Sequence, residues 1–142
     1  MKHYEGRCHC GNLSFDFETS VGLEQLGLRA CQCSFCRAHN ARAISDPKGT
    51  IHFSVRDPKL LSRYRMGLGI TDLLICARCG VYVAALMEDR GTLLMTVNGN
   101  AFVPCLPSDV PVTPMNYGAE NVDQRIARRR IRWTPVSVYK IG

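Results

Sequence analysis

The chain has 142 residues, 46% of them hydrophobic and 21% charged, with a formal net charge of +6 at pH 7. That length excludes two separate folds and predicts one domain over residues 1–142 with its own core. No stretch approaches the ~20 apolar residues of a membrane span, and the positive charge favours anionic partners without choosing between nucleic acid, an acidic peptide and a small anion.

Met1 to Asn12 is polar and charged, without the apolar run of a secretory signal, so reduced thiols and a cytoplasmic location are expected. Within it lies Cys8-His9-Cys10. Leu13, Phe15 and Phe17 then alternate with polar residues, the period of a strand with one buried face. A second alternation, Leu26, Leu28 and Ala30, leads into Cys31-Gln32-Cys33-Ser34-Phe35-Cys36. Each C-x-C pair is thereby expected at a strand end, where residues i and i+2 share a face and both sulfurs can meet one ion. Ser34 to Ala43 reads as a short helix with Cys36 and His39 one turn apart.

Asp46-Pro47-Lys48-Gly49 is a turn by composition, followed by a strand through Ile51, Phe53 and Val55. Asp57-Pro58 predicts a helix start, with one or two turns reaching Leu60, Leu61 and Tyr64. The apolar runs Ile70–Ile75 and Val81–Met87 flank a Cys76-x-x-Cys79-Gly80 knuckle, and Asp89-Arg90-Gly91 turns the chain into a strand over Thr92–Val97. Pro104 to Pro114 reads as a wrapping coil. Glu120 to Arg132 reads as a helix with Ala119, Val122, Ile126 and Trp133 in an apolar stripe, and Val136 and Val138 as a closing strand. The whole is mainly β with short peripheral helices and a basic helix near the C-terminus.

Seven of the eight cysteines thus fall into three clusters of two, three and two. Closed zinc sites take four ligands, so these numbers suggest one complete site and one with an open position. Spacing leaves the pairing open. Cys8 and Cys10 can join Cys76 and Cys79, which leaves the trio Cys31, Cys33 and Cys36, or the first pair can join part of the trio and strand a thiolate.

The motifs Gly6-Arg7-Cys8-His9-Cys10-Gly11, Cys31-x-Cys33-Ser34-x-Cys36-Arg37 and Cys76-x-x-Cys79-Gly80, in that order, resemble the glutathione-dependent formaldehyde-activating enzymes and their centromere protein V relatives. The match is strongest over residues 6–97, with residues 98–142 a divergent C-terminal extension of the same domain. The resemblance implies a zinc-stabilised, Mss4-like β-tent holding two zinc ions. It implies that Cys8, Cys10, Cys76 and Cys79 are structural ligands and that Cys31, Cys33 and Cys36 hold a catalytic zinc. It also implies a carbon-sulfur lyase acting on adducts of glutathione, or another thiol, with formaldehyde or a small aldehyde. Glutathione would be the co-substrate. After the trio the chain departs from the family pattern, with Ala38-His39-Asn40-Ala41-Arg42 and no histidine beyond His52, so a different substrate pocket is expected.

Around the trio, His39 is a candidate fourth ligand or proton carrier against the alternative of an exposed helix histidine, and Arg37 is a candidate partner for a substrate carboxylate. His9 should point away from the metal held by its neighbours. Cys105 reads as a small buried hydrophobe or as the residue that closes the open site. Arg125 to Arg132 reads as a solvated helix face. The competing functional reading is a non-catalytic zinc-stabilised module that places this basic helix on nucleic acid or an acidic protein.

Overall fold

A computed structural model describes residues 1–142 and is mainly β, with eleven strands and three short α-helices. The alternations read from the sequence form its centre. Strand β2 (Leu13–Thr19) buries Leu13, Phe15 and Phe17, and β5 (Thr50–Val55) buries Ile51, Phe53 and Val55. The two run antiparallel with Leu13 opposite Val55, Phe15 opposite Phe53 and Phe17 opposite Ile51, so each apolar side chain meets another across the sheet. Strand β1 (Lys2–Arg7) covers the free edge of β2. Only Gly6 of that strand is buried, and a Cβ there would stand 2.1 Å from the Phe15 ring, so glycine is what lets β1 close over the phenyl group.

The expected hairpin forms from β8 (Tyr82–Asp89) and β9 (Thr92–Asn98). Its two-residue turn has Arg90 at φ 52° and Gly91 at φ 82°, the positive-φ pair that matches the twist of the strands. Tyr82 to Met87 is buried throughout, because both faces of the sheet are covered here. On one face Val83, Ala84 and Leu86 join the main core with Phe15, Phe17 and Phe53. On the other, Tyr82, Ala85 and Met87 form a smaller core with Leu73, Leu94 and Trp133.

One continuous sheet carries all eleven strands, and with β3 (Leu28–Cys31), β4 (Ala43–Ile44), β10 (Val112–Met115) and β11 (Thr134–Ile141) its order is β1-β2-β5-β11-β9-β4-β3-β10, with β8, β7 (Asp72–Cys76) and β6 (Leu61–Tyr64) branching from β9. Strand β11 (Thr134–Ile141) makes the junction. Thr134 and Pro135 pair with β9, and from Val136 opposite Ile51 the strand runs parallel to β5, with a bulge between Val136 and Val138. No helix is long and apolar enough to cross a membrane.

Several local expectations change. Asp57 does cap Lys59 N–H through its side chain, but the 3₁₀ turn spans only Pro58–Leu60; Leu61–Tyr64 is strand, because pairing with β7 from Leu61 opposite Cys76 to Tyr64 opposite Leu73 satisfies its backbone. Leu26 ends a four-residue helix, α1 (Leu23–Leu26), and β3 (Leu28–Cys31) starts after Gly27. Helix α2 (Ser34–His39) stops early at left-handed Asn40, after which Ala43–Ile44 forms β4. The proline-rich coil contains β10 (Val112–Met115), parallel to β3. Helix α3 spans Val122–Arg132 and opens with a capping box, the Asn121 side chain accepting from Gln124 N–H at 2.8 Å while Gln124 accepts from Asn121 N–H at 2.9 Å.

Candidate metal centres and the adjoining cavity

The fold brings the cysteines into two groups, Cys8, Cys10, Cys76 and Cys79 in one and Cys31, Cys33 and Cys36 in the other, with all sulfurs of a group within 4.8 Å of one another. Each group could hold a metal ion such as zinc. Cys8 and Cys10 lie in the turn between β1 and β2 rather than within a strand, fixed by Cys8 N–H on Leu13 O at 2.9 Å and Gly11 N–H on Cys8 O at 3.0 Å. Cys76 and Cys79 occupy the knuckle between β7 and β8, where Gly80 takes φ 81° and its N–H reaches Cys76 O at 2.8 Å. Cys10 Sγ stands 3.7 Å from Cys8 Sγ and 3.5 Å from Cys76 Sγ. Tetrahedral zinc at Zn–S about 2.3 Å requires sulfurs about 3.8 Å apart, so this group fits the ion in number, donor type and spacing.

The thiols of this group differ in acidity. Burial pushes Cys8 up to about 12. Burial also opposes ionisation of Cys79, yet the N–H groups of Cys10 and Val81, with Cys76 and Cys8 beside it, hold it down at about 6. Backbone N–H groups of Leu13 and Cys79 donate to the sulfurs of Cys8 and Cys76 at 3.3 and 3.4 Å, bonds that favour thiolate over thiol.

In the second group Cys31 ends β3, Cys33 is the N-cap of α2 and Cys36 lies in that helix. The expected i and i+2 placement on one strand does not occur; convergence comes from the strand-to-helix turn, with Cys36 N–H on Cys33 Sγ at 3.4 Å. A hydrogen bond from Cys36 holds Cys31 down at about 5 against burial, with Cys33 and the charge of Arg128 acting in the same sense. Cys36 is pushed up correspondingly, by Cys31 first and then by burial. Three soft donors around one point, one of them ionised readily, suit zinc with a fourth position left over.

His39 and Cys105 are not among the groups that can share an ion with the trio. His39 is exposed at the end of α2, its ring 4.5 Å from Phe35 and 5.7 Å from Tyr82 between centroids. Cys105 is exposed rather than buried. His9 is exposed in its turn and is not among the residues of the first group. Arg37 is exposed and does not line the cavity beside the trio.

That cavity, about 220 Å³, is bounded by the trio, the second core and α3. Phe35, Tyr82 and Trp133 supply apolar wall, and Arg29, Arg125, Arg128 and Arg129 supply charge. The solvated helix face expected for Arg125 to Arg132 is therefore wrong for three of its arginines. Arg129 is 9% exposed, its guanidinium lying 4.4 Å from the Trp133 ring centroid and bonded to Thr71 and Met87. Arg128 makes a two-pronged pair with Glu120 at 2.8 and 3.0 Å and stacks 3.5 Å from the Tyr117 ring centroid. Arg125 reaches the same carboxylate at 3.3 Å. A helical period puts residues 125, 128 and 129 on one face, so the signal was present, but hydropathy scores that face as water-facing. Likewise Arg29 and Cys31 share a face of β3 by the strand period.

No family model and no curated protein matches the chain. Among solved structures, it is similar to the crystal structure of a Rhodobacter sphaeroides protein from a structural-genomics programme, at 26% identity and a TM-score of 0.59, covering 77% of this chain and 99% of that one. The likeness supports the β-rich fold and carries no activity with it.

Proposed function

We propose that the protein is a zinc-dependent enzyme of the carbon-sulfur lyase type, with the β-tent architecture its motifs suggest, acting on adducts of a thiol such as glutathione with formaldehyde or another small aldehyde. The observation that carries this reading is a three-cysteine group opening onto a cavity lined with arginine. In this account Cys8, Cys10, Cys76 and Cys79 hold a structural ion, and Cys31, Cys33 and Cys36 hold the working one. A zinc ion there supplies positive charge that favours thiolate over thiol at neutral pH.

The chain's own residues do the rest. Arg29 and Arg129, which have no carboxylate partner, draw in the carboxylates of the thiol, and the Phe35, Tyr82 and Trp133 wall limits water around the reacting carbon. Breaking the adduct separates its carbon-sulfur bond, with the electron pair going to sulfur. The adduct's hydroxyl proton leaves to solvent as the carbonyl forms, and a proton from solvent restores the thiol on release. Arg37 stays at the surface, and His39 positions Phe35 by ring packing. The alternative of a non-catalytic module with a basic helix gains little, because Arg125, Arg128 and Arg129 turn inward.

The test is exchange NMR of S-hydroxymethylglutathione with formaldehyde and free thiol in the presence of zinc-loaded protein. Acceleration that Cys36→Ser abolishes supports the reading. Exchange at the uncatalysed rate with glutathione and with simpler thiols would leave the non-catalytic module as the better account.

A further inference from the structure

The cavity holds more positive charge than its surroundings balance. Its four arginines face no acidic side chain in the lining itself. Glu120, just outside, pairs with Arg125 and Arg128. Arg29 and Arg129 have no carboxylate at all. Arg29 is held by two hydroxyls, donating from Nη2 to Ser45 at 2.8 Å and to Thr96 at 3.2 Å. Those hydroxyls donate in turn to main-chain carbonyls, Ser45 to Arg132 O at 2.6 Å and Thr96 to Ile44 O at 3.2 Å, so they are committed acceptors toward the arginine. Arg129 is buried with its Nε unpartnered.

A buried guanidinium with an unused donor is costly unless something arrives to meet it. A guanidinium keeps its charge at neutral pH even when buried, so Arg29 and Arg129 both bring a positive charge to the cavity. Four guanidiniums against one carboxylate leave three positive charges. With a divalent ion held by three thiolates the trio would add one negative charge, and the loaded pocket would then lack two. A cavity of about 220 Å³ accommodates a short-chain diacid, while the remainder of a longer peptide would extend through the mouth.

We propose that this cavity beside Cys31, Cys33 and Cys36 is a binding site for a small organic dianion, its charged groups met by Arg29 and Arg129 of the lining. The proposal rests on the lyase reading's use of this same cavity and deepens it by naming the class of anion the cavity takes. The ligand class is a short dicarboxylate or a molecule of the same charge and size, and Trp133 is both part of the wall and its reporter, as the chain's one tryptophan.

The test titrates the zinc-loaded protein with succinate while following Trp133 emission, with butyrate as the singly charged comparison. Saturable binding of succinate is expected, with butyrate weaker by about tenfold or more. Arg29→Gln and Arg129→Gln should each weaken succinate by about tenfold or more, while Arg130→Gln, whose guanidinium lies outside on Asp89 at 2.6 Å, should leave it unchanged. Thermal melting checks that each variant is folded, and Arg29→Gln carries the test if Arg129→Gln is not. Absence of saturable succinate binding, equal affinity for butyrate, or an equal loss in Arg130→Gln would overturn the proposal. Succinate binding without thiol-aldehyde exchange would sink the lyase reading alone; exchange without succinate binding would sink the dianion site alone.

Discussion

Replacing Cys79 with serine should cost the fold far more than replacing Cys36. The first group ties the β1–β2 turn to the β7–β8 knuckle, with Cys10 and Cys76 separated by 66 residues. A cross-link closing a loop of that length removes chain entropy worth about 4 kcal/mol at 25 °C, whereas the trio spans Cys31 to Cys36 and closes a short loop worth about 2 kcal/mol on the same relation. Unfolding entropy near ~2.1 cal/mol/K per residue turns the first figure into a melting temperature lower by roughly 13 °C and the second into roughly half that. Differential scanning calorimetry of zinc-loaded wild type, Cys79→Ser and Cys36→Ser measures the contrast, with metal content determined on the same samples. Equal losses in the two variants, or a larger loss in Cys36→Ser, would refute the assignment of the long-range group to stability.

Two further outcomes follow from local packing and charge. Arg128 first, and then Arg125, hold Glu120 below its ordinary value of 4.5, against the opposing effect of burial. A depressed folded value means the stabilisation is complete above the ordinary value and is lost as pH falls through the depressed one, so urea midpoints of the wild type should fall below pH 4.5 more steeply than those of Glu120→Gln. Parallel curves would remove Glu120 from the account. Gly6→Ala should destabilise by about 2 kcal/mol in urea unfolding through overpacking, because its Cβ would stand 2.1 Å from the Phe15 ring; a neutral result would mean that β1 adapts.

The sequence reading succeeded where one physical signal dominated. Leu13, Phe15 and Phe17 alternate because one face of β2 is buried, and cysteine spacing survives any uncertainty about elements. It failed where pairing with a distant segment decided the outcome. Lys2–Arg7 is polar on both faces and becomes a strand only because β2 offers an edge, and Val112–Met115 tolerates Pro114 because β10 lies at the rim with β3 on one side only. Leu61–Tyr64 followed a genuine cap at Asp57, but β7 captured the chain after one turn. The arginines of α3 were the most consequential miss. Their helical period was visible, but nothing in hydropathy shows that Trp133 and the trio wall off a cavity on that side.

The central claim is that the trio holds an ion with one position left open. Zinc-edge X-ray absorption of the metal-loaded protein, read together with metal content, tests it most directly. Two ions per chain, one with four sulfur ligands and one with three sulfurs and a lighter atom, predict an average of about 3.5 sulfurs per zinc at about 2.3 Å. A single ion per chain, or an average of four sulfurs, would contradict it.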